Sequence, residues 1–268
     1  MGRPSGVRIN IMNAPLNLSG NCITFLPNAN QGRQDFASDG PYRMYQIHLA
    51  AGSTHTIDQL TAFTVLILQG QAQYTSPSSN GNLGPHDTIN VVSHSVTLIP
   101  LSDIKIIVAG VEEKVDATPQ TTFVSAAQQY RVDKPWGHEL WFSGTDNPYY
   151  SLKEVFIRQG NRTSLQYHHF KYEANVIFDG TARLYYQKNI DCPKDALKAE
   201  DLGTYDVTGL AAINIVPQVV HRLFAVTDVM IYEASTPHLD DVIRISDDSG
   251  RKDGRIASEH QSPKNNAA

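Results

Sequence analysis

Apolar residues recur along this chain in short runs with a period near two, and sustained helical spacing is nearly absent. The clearest runs are residues 62–68, 96–99, 104–108, 151–157, 174–178, 182–186, 213–216 and 228–232. They are rich in β-branched and aromatic residues and are bounded by Gly, Pro, Asn or Asp, the pattern of strands and their turns. Two stretches, 122–130 and 195–201, suit short helices. The pattern predicts an all-β fold with strands at sandwich or barrel spacing.

An internal repeat divides the pattern. Leu66-Ile67-Leu68-Gln69-Gly70-Gln71-Ala72-Gln73-Tyr74 parallels Val176-Ile177-Phe178-Asp179-Gly180-Thr181-Ala182-Arg183-Leu184. Each is an apolar strand, a tight glycine turn and a second strand, which implies two similar β-units in tandem. The predicted organisation is an N-terminal unit over 1–125, a C-terminal unit over 126–250 and a polar tail over 251–268, mobile from about Ser258.

Bulk properties narrow the class. The chain has 268 residues, 41% hydrophobic and 18% charged, so it can bury a sizeable core. Its net charge of −5 comes without a basic block, which argues against a nucleic-acid partner. No run approaches the ~20 apolar residues of a membrane span. Cys22 and Cys192 stand far apart in no CxxC pattern, which fits free thiols in a reducing compartment. The expected location is cytoplasmic.

The candidate chemistry lies in Gln166-Tyr167-His168-His169-Phe170-Lys171-Tyr172-Glu173. Gln166 and His168 share one face of a strand, and Glu173 lies far enough on for the chain to turn and return a carboxylate. With His221 from a later strand they make a mixed N/O shell for a divalent metal, zinc by default, with manganese, iron, cobalt or nickel fitting the same donors. His169 has the opposite parity and faces away. Asp240-Asp241 reads as turn chemistry. With Gly70 aligned to Gly180, the N-terminal counterparts of Gln166, His168 and Glu173 are Thr56, Asp58 and Phe63. That unit is therefore expected to hold no metal.

The block from Gly160 to Glu173 with Phe178-Asp179-Gly180 resembles the first cupin motif, and Ile215-Val216-Pro217 through His221-Arg222-Leu223 resembles the second. The Ser-Leu-Gln-x-His form, Lys134-Pro135-Trp136-Gly137 and the closing 231–251 segment are similar to the cupin domain of type II mannose-6-phosphate isomerases. The resemblance implies a bicupin of two double-stranded β-helix barrels, and a homodimer. It further implies aldose–ketose isomerisation of a sugar phosphate or related polyhydroxy compound. Lys153 and Arg244 would then anchor phosphate, and Glu233 or a neutral Lys153 would move the proton. Ala174-Asn175 replace the family's His-Trp after the glutamate. Two other readings stay open: an Fe(II)-dependent cupin dioxygenase, and a non-catalytic sugar-binding or regulatory bicupin.

Overall fold

The computed structural model describes residues 23–27, 31–37, 40–187, 197 and 199–260. Cys22 and Cys192 lie outside them. The strands are β1 (Ile23–Phe25), β2 (Gly32–Ala37), β3 (Arg43–Leu49), β4 (His55–Ile57), β5 (Ala62–Gln69), β6 (Ala72–Thr75), β7 (Asn80–Leu83), β8 (Thr88–Val92), β9 (Val96–Pro100), β10 (Ile104–Val111) and β11 (Gln120–Val124). There follow β12 (Tyr130–Lys134), β13 (Gly137–Ser143), β14 (Ser151–Ile157), β15 (Leu165–Tyr167), β16 (Glu173–Asp179), β17 (Thr181–Gln187), β18 (Gly203–Thr208), β19 (Ala211–Ile215), β20 (Val220–Ala225), β21 (Val229–Ser235) and β22 (Ile243–Ser246). Every apolar run singled out above is the body of one of these strands.

The expected helices are absent among the described residues. Residues 122–130 hold the end of β11, a single 3-10 turn at Ala126–Gln128 and the start of β12. Gln129 fixes this corner: its buried amide donates to His86 O, Thr88 Oγ1 and Val124 O. Of the second stretch, Ala199–Asp201 forms another 3-10 turn, and most of the rest lies outside the described residues.

Four sheets form two barrels of matching order. In the first half, β11-β8-β5-β10-β3-β2 faces β4-β9-β6-β7. In the second, β1-β19-β16-β21-β14-β13-β12 faces β18-β17-β20-β15-β22. The two hairpin glycines of the repeat occupy equivalent turns, with φ of 82° at Gly70 and 92° at Gly180. A Cβ at either would overlap the carbonyl of Asp103 or Asp228, so only glycine fits.

One strand crosses between the halves. β1 pairs with β19 of the second barrel, at the edge position that β11 holds against β8 in the first. The described N-terminal strand thus completes the C-terminal sheet, although it precedes the whole first barrel in sequence. The large sheets also pack against each other through Met44, Leu66, Ile107, Phe142, Tyr150, Val176 and Tyr232. These residues come from both halves, so burial continues across the junction.

The tail expectation needs correction. Residues 251–260 are not free: Arg251 binds Asp247, Lys134 binds Glu259, and His260 packs on Trp141 with ring centroids 6.0 Å apart. Charged residues settle here because they meet the charges that line the mouth of the second barrel. Residues 261–268 lie outside the described part. No described helix is long and apolar enough to cross a membrane.

Candidate metal centre

The second barrel brings the predicted donors together. His168 follows β15, Glu173 opens β16 and His221 lies on β20; all three are buried. Their ligating atoms fall within 4.8 Å of one another. His168 Nε2 stands 3.3 Å from Glu173 Oε1, and His221 Nε2 stands 3.3 Å from Glu173 Oε2. Gln166 is the cross-strand partner of His221 and lines the same cavity.

Both imidazoles are oriented through the opposite nitrogen. His168 Nδ1 bonds the carbonyl of Asp241, and His221 Nδ1 bonds the carbonyl of Val219 at 3.0 Å. A carbonyl only accepts, so each Nδ1 carries the hydrogen and each Nε2 is turned toward Glu173. In the neutral tautomer this sets an Nε2 lone pair against a carboxylate, an arrangement that a cation between them relieves. His168 Nε2 is also buried without a hydrogen-bond partner. Two imidazole donors and one carboxylate with ring orientation fixed from behind suit a divalent metal well.

Asp241 organises the loop behind the site. Its carboxylate accepts the backbone N–H groups of His169, Phe170 and Lys171 at 2.9, 2.6 and 3.0 Å. Burial alone would raise this carboxyl, but these donors outweigh it and hold it below the ordinary range. The expected turn role is therefore coupled to ligand placement. His169 is exposed, and the buried Arg222 turns outward to Thr163 O and Ser246 O.

A row of alternating charges runs from the centre to the barrel mouth. Lys171 Nζ lies 2.5 Å from Glu173 and 3.2 Å from Glu233. Lys153 Nζ lies 3.2 Å from Glu233 and 3.0 Å from Glu139. Lys134 Nζ lies 3.4 Å from Glu139 and 2.9 Å from Glu259. Burial opposes charge on Glu139, yet the ammonium groups of Lys153 and Lys134 prevail and hold its carboxyl at about 2. Burial likewise opposes charge on Lys153, and Glu139 and Glu233 overcome it, pushing its pKa above the ordinary lysine value. Its two carboxylate neighbours favour the charged form of Lys153 over the neutral form that a base would need.

Arg244 has a different setting. Its Nε donates to Ser164 Oγ at 3.0 Å and its Nη1 to the carbonyls of Lys252 and Gly254. No carboxylate among the described residues forms an ion pair with it, and it lines the cavity. The cavity measures about 120 Å³. Sequence reasoning had missed Lys171, Glu139, Lys134 and Glu259. The i, i+2 spacing of Lys171 with Glu173 and of Glu139 with Trp141 was visible, but nothing local showed that the charges meet across the barrel.

At the counterpart positions of the first barrel, Phe63 is fully buried among apolar residues and offers no donor atom, while Thr56 and Asp58 are exposed.

The profile of a family described as mannose-6-phosphate isomerase, C-terminal, matches residues 122–223. No curated protein matches the chain in sequence. Among solved structures, oxalate decarboxylase from Lactobacillus farciminis in complex with formate superposes with a TM-score of 0.63. It is 10% identical, with 88% of this chain and 90% of that one covered. The chain has the cupin fold. An IolB-like protein from Salmonella typhimurium gives a TM-score of 0.62 at 12% identity, covering 82% of this cupin and 94% of its own length. The protein YlbA from E. coli gives 0.60 at 11%, covering 84% and 95%. The family match spans the first metal motif and reaches His221, but ends before Glu233 and Arg244.

Proposed function

We propose that the second barrel is a divalent-metal site acting on a small anionic polyhydroxy compound, most simply the aldose–ketose isomerisation of a sugar phosphate. The observation that carries this reading is the pair of imidazoles, fixed from behind by backbone carbonyls, with both Nε2 atoms turned to Glu173. Gln166, His168, Glu173 and His221 would hold the ion. When bound, it supplies Lewis-acid polarisation of a carbonyl and the neighbouring hydroxyl. Arg244, whose guanidinium forms no ion pair with a carboxylate among the described residues, is offered to the ligand's anionic group. Glu233 faces the same cavity and is placed to take a proton from one carbon and return it to the next, with no net oxidation.

The test combines elemental analysis with exchange chemistry. Purified protein should carry about one divalent ion, and Glu173→Gln or His221→Ala should lose it. With fructose 6-phosphate or mannose 6-phosphate in deuterated water, the loaded protein should place solvent deuterium at the carbon next to the carbonyl. Glu233→Gln should abolish this exchange and keep the metal. Full exchange by a metal-stripped preparation would overturn the reading.

One observation favours a second reading, a non-catalytic binding cupin. Both carboxylate oxygens of Glu233 are already engaged by buried ammonium groups, Oε2 by Lys153 and Oε1 by Lys171, each at 3.2 Å. Under that reading the loaded protein binds its ligand without isotope exchange.

A further inference from the structure

The lining of the second barrel carries a charge excess that the whole chain lacks. Six of its side chains are lysine or arginine and three are glutamate, although the protein as a whole has a net charge of −5. The segment 251–260 supplies two of these cations, Arg251 and Arg255, and also a carboxylate that meets the excess from beside the cavity, Glu259. Glu259 Oε2 lies 2.9 Å from Lys134 Nζ, and Glu259 Oε1 lies 3.6 Å from Arg251 Nη1. Arg251 is also tied through Nη2 to Ser164 Oγ at 3.0 Å, and the same hydroxyl meets Arg244. The side chain of Lys134 is 7% exposed and that of Glu259 is 14% exposed.

The segment is held less firmly than the barrel it covers. It contains no strand; residues 251–254 are tied down by Arg251 to Asp247, by Arg244 to the carbonyls of Lys252 and Gly254 and by Gly254 N–H to Val242 O, whereas the backbone bonds of 255–260 are two short-range turns at Glu259 and His260. His260 reaches inward against Trp141 and Tyr130, but its Nδ1 is buried without a partner. An imidazole in that condition costs free energy and favours release.

Cavity size points the same way. About 120 Å³ is less than the roughly 300 Å³ at which ligand pockets ordinarily begin. Movement at the mouth would enlarge the space open to a sugar phosphate.

We infer that Lys134 and Arg251 form an oxyanion subsite at the barrel mouth, that Glu259 fills it as a built-in stand-in, and that the anionic group of the ligand displaces Glu259 and lifts residues 255–260, leaving Arg251 anchored on Asp247. This rests on the reading of the second barrel as a ligand site but not on any reaction there. The shared chemistry is an oxyanion, and its source is a phosphate ester or a carboxylate.

The test uses the full chain loaded with metal, with inorganic phosphate and malonate as separate probes in calorimetry. Glu259→Gln removes the competing charge and should tighten binding of the fitting anion by about tenfold. Adding Lys134→Met to that variant should remove the gain. Tighter phosphate alone identifies a phosphate ester, and tighter malonate alone a carboxylate. Backbone hydrogen exchange supplies a check on wild-type protein: the bound anion should speed exchange across 255–260 while the barrel strands stay protected. Unchanged affinity in Glu259→Gln, or exchange across 255–260 that is unchanged or slowed by the bound anion, would overturn the proposal. Neither readout needs turnover, so failure of the isomerase reading leaves it standing.

Discussion

The two barrels share strand order and hairpin glycines, yet one is filled with hydrocarbon and the other with charge. Counting from Gly70 and Gly180, Phe63 takes the place of Glu173 and Val65 that of Asn175. Across the ladder, Val108 pairs with Val65 where Glu233 pairs with Asn175. One strand further, Tyr45 faces Val108 where Lys153 faces Glu233. The first barrel thus builds a continuous apolar core. The second keeps its apolar residues around Ile177, Ala182 and Ile213 and gives the remaining interior to ion pairs. Buried ion pairs seldom stabilise a fold more than packed hydrocarbon of similar volume. The comparison therefore teaches that one scaffold accepts either filling, and that the ion row of the second interior is not what the fold requires.

Phe63→Glu should produce the largest effect. It places an unpaired carboxylate in the first core, costing about 4 kcal/mol or more in urea unfolding, without creating a metal site. Retained stability with new metal binding would break the comparison. Lys153→Met comes next: it strips one partner from both Glu139 and Glu233 and should cost about 3 kcal/mol. The depressed carboxyl of Glu139 gives this network a pH signature. Its contribution is complete above the ordinary value of 4.5 and is lost as pH falls through about 2. Acid titration of unfolding stability should show a loss in that window, and the loss should shrink in Glu139→Gln.

A coordinated exchange should matter less than Lys153→Met alone. Combining Lys153→Tyr, Lys171→Leu, Glu173→Phe and Glu233→Val gives the second barrel the first barrel's residues at three positions and removes equal numbers of each charge. Stability measured with a chelator present should stay within about 2 kcal/mol of the parent, while metal binding disappears. A larger loss than in Lys153→Met would show that the ion row is structural. The smallest effect belongs to Thr97→Val, which breaks the exposed Thr56–Thr97 hydroxyl pair standing where Gln166 and His221 meet in the other barrel. About 0.5 kcal/mol or less is expected by thermal unfolding.

Legibility differed by the range of the interaction involved. Ser151–Ile157 was readable to the residue, because alternation and its bounding residues are local properties. His168, Glu173 and His221 were readable because their spacing within two strand motifs signals shared placement. The helix expected over 122–130 failed because β11 pairs with β8, about thirty residues away, and pairing overrides weak local preference. The ordered path of 251–260 escaped notice because a polar composition resembles a free tail until its partners are known.

The amino-acid pattern alone determined the all-β class, the duplication, the glycine turns and the gathering of His168, Glu173 and His221, since each follows from short-range alternation, φ constraints or motif spacing. Only the tertiary structure decided that β1 joins the second barrel, that Lys153 is a trapped cation, and that Glu259 closes the mouth. Those outcomes depend on which distant side chains share one buried space, where charges stripped of water are governed by their neighbours.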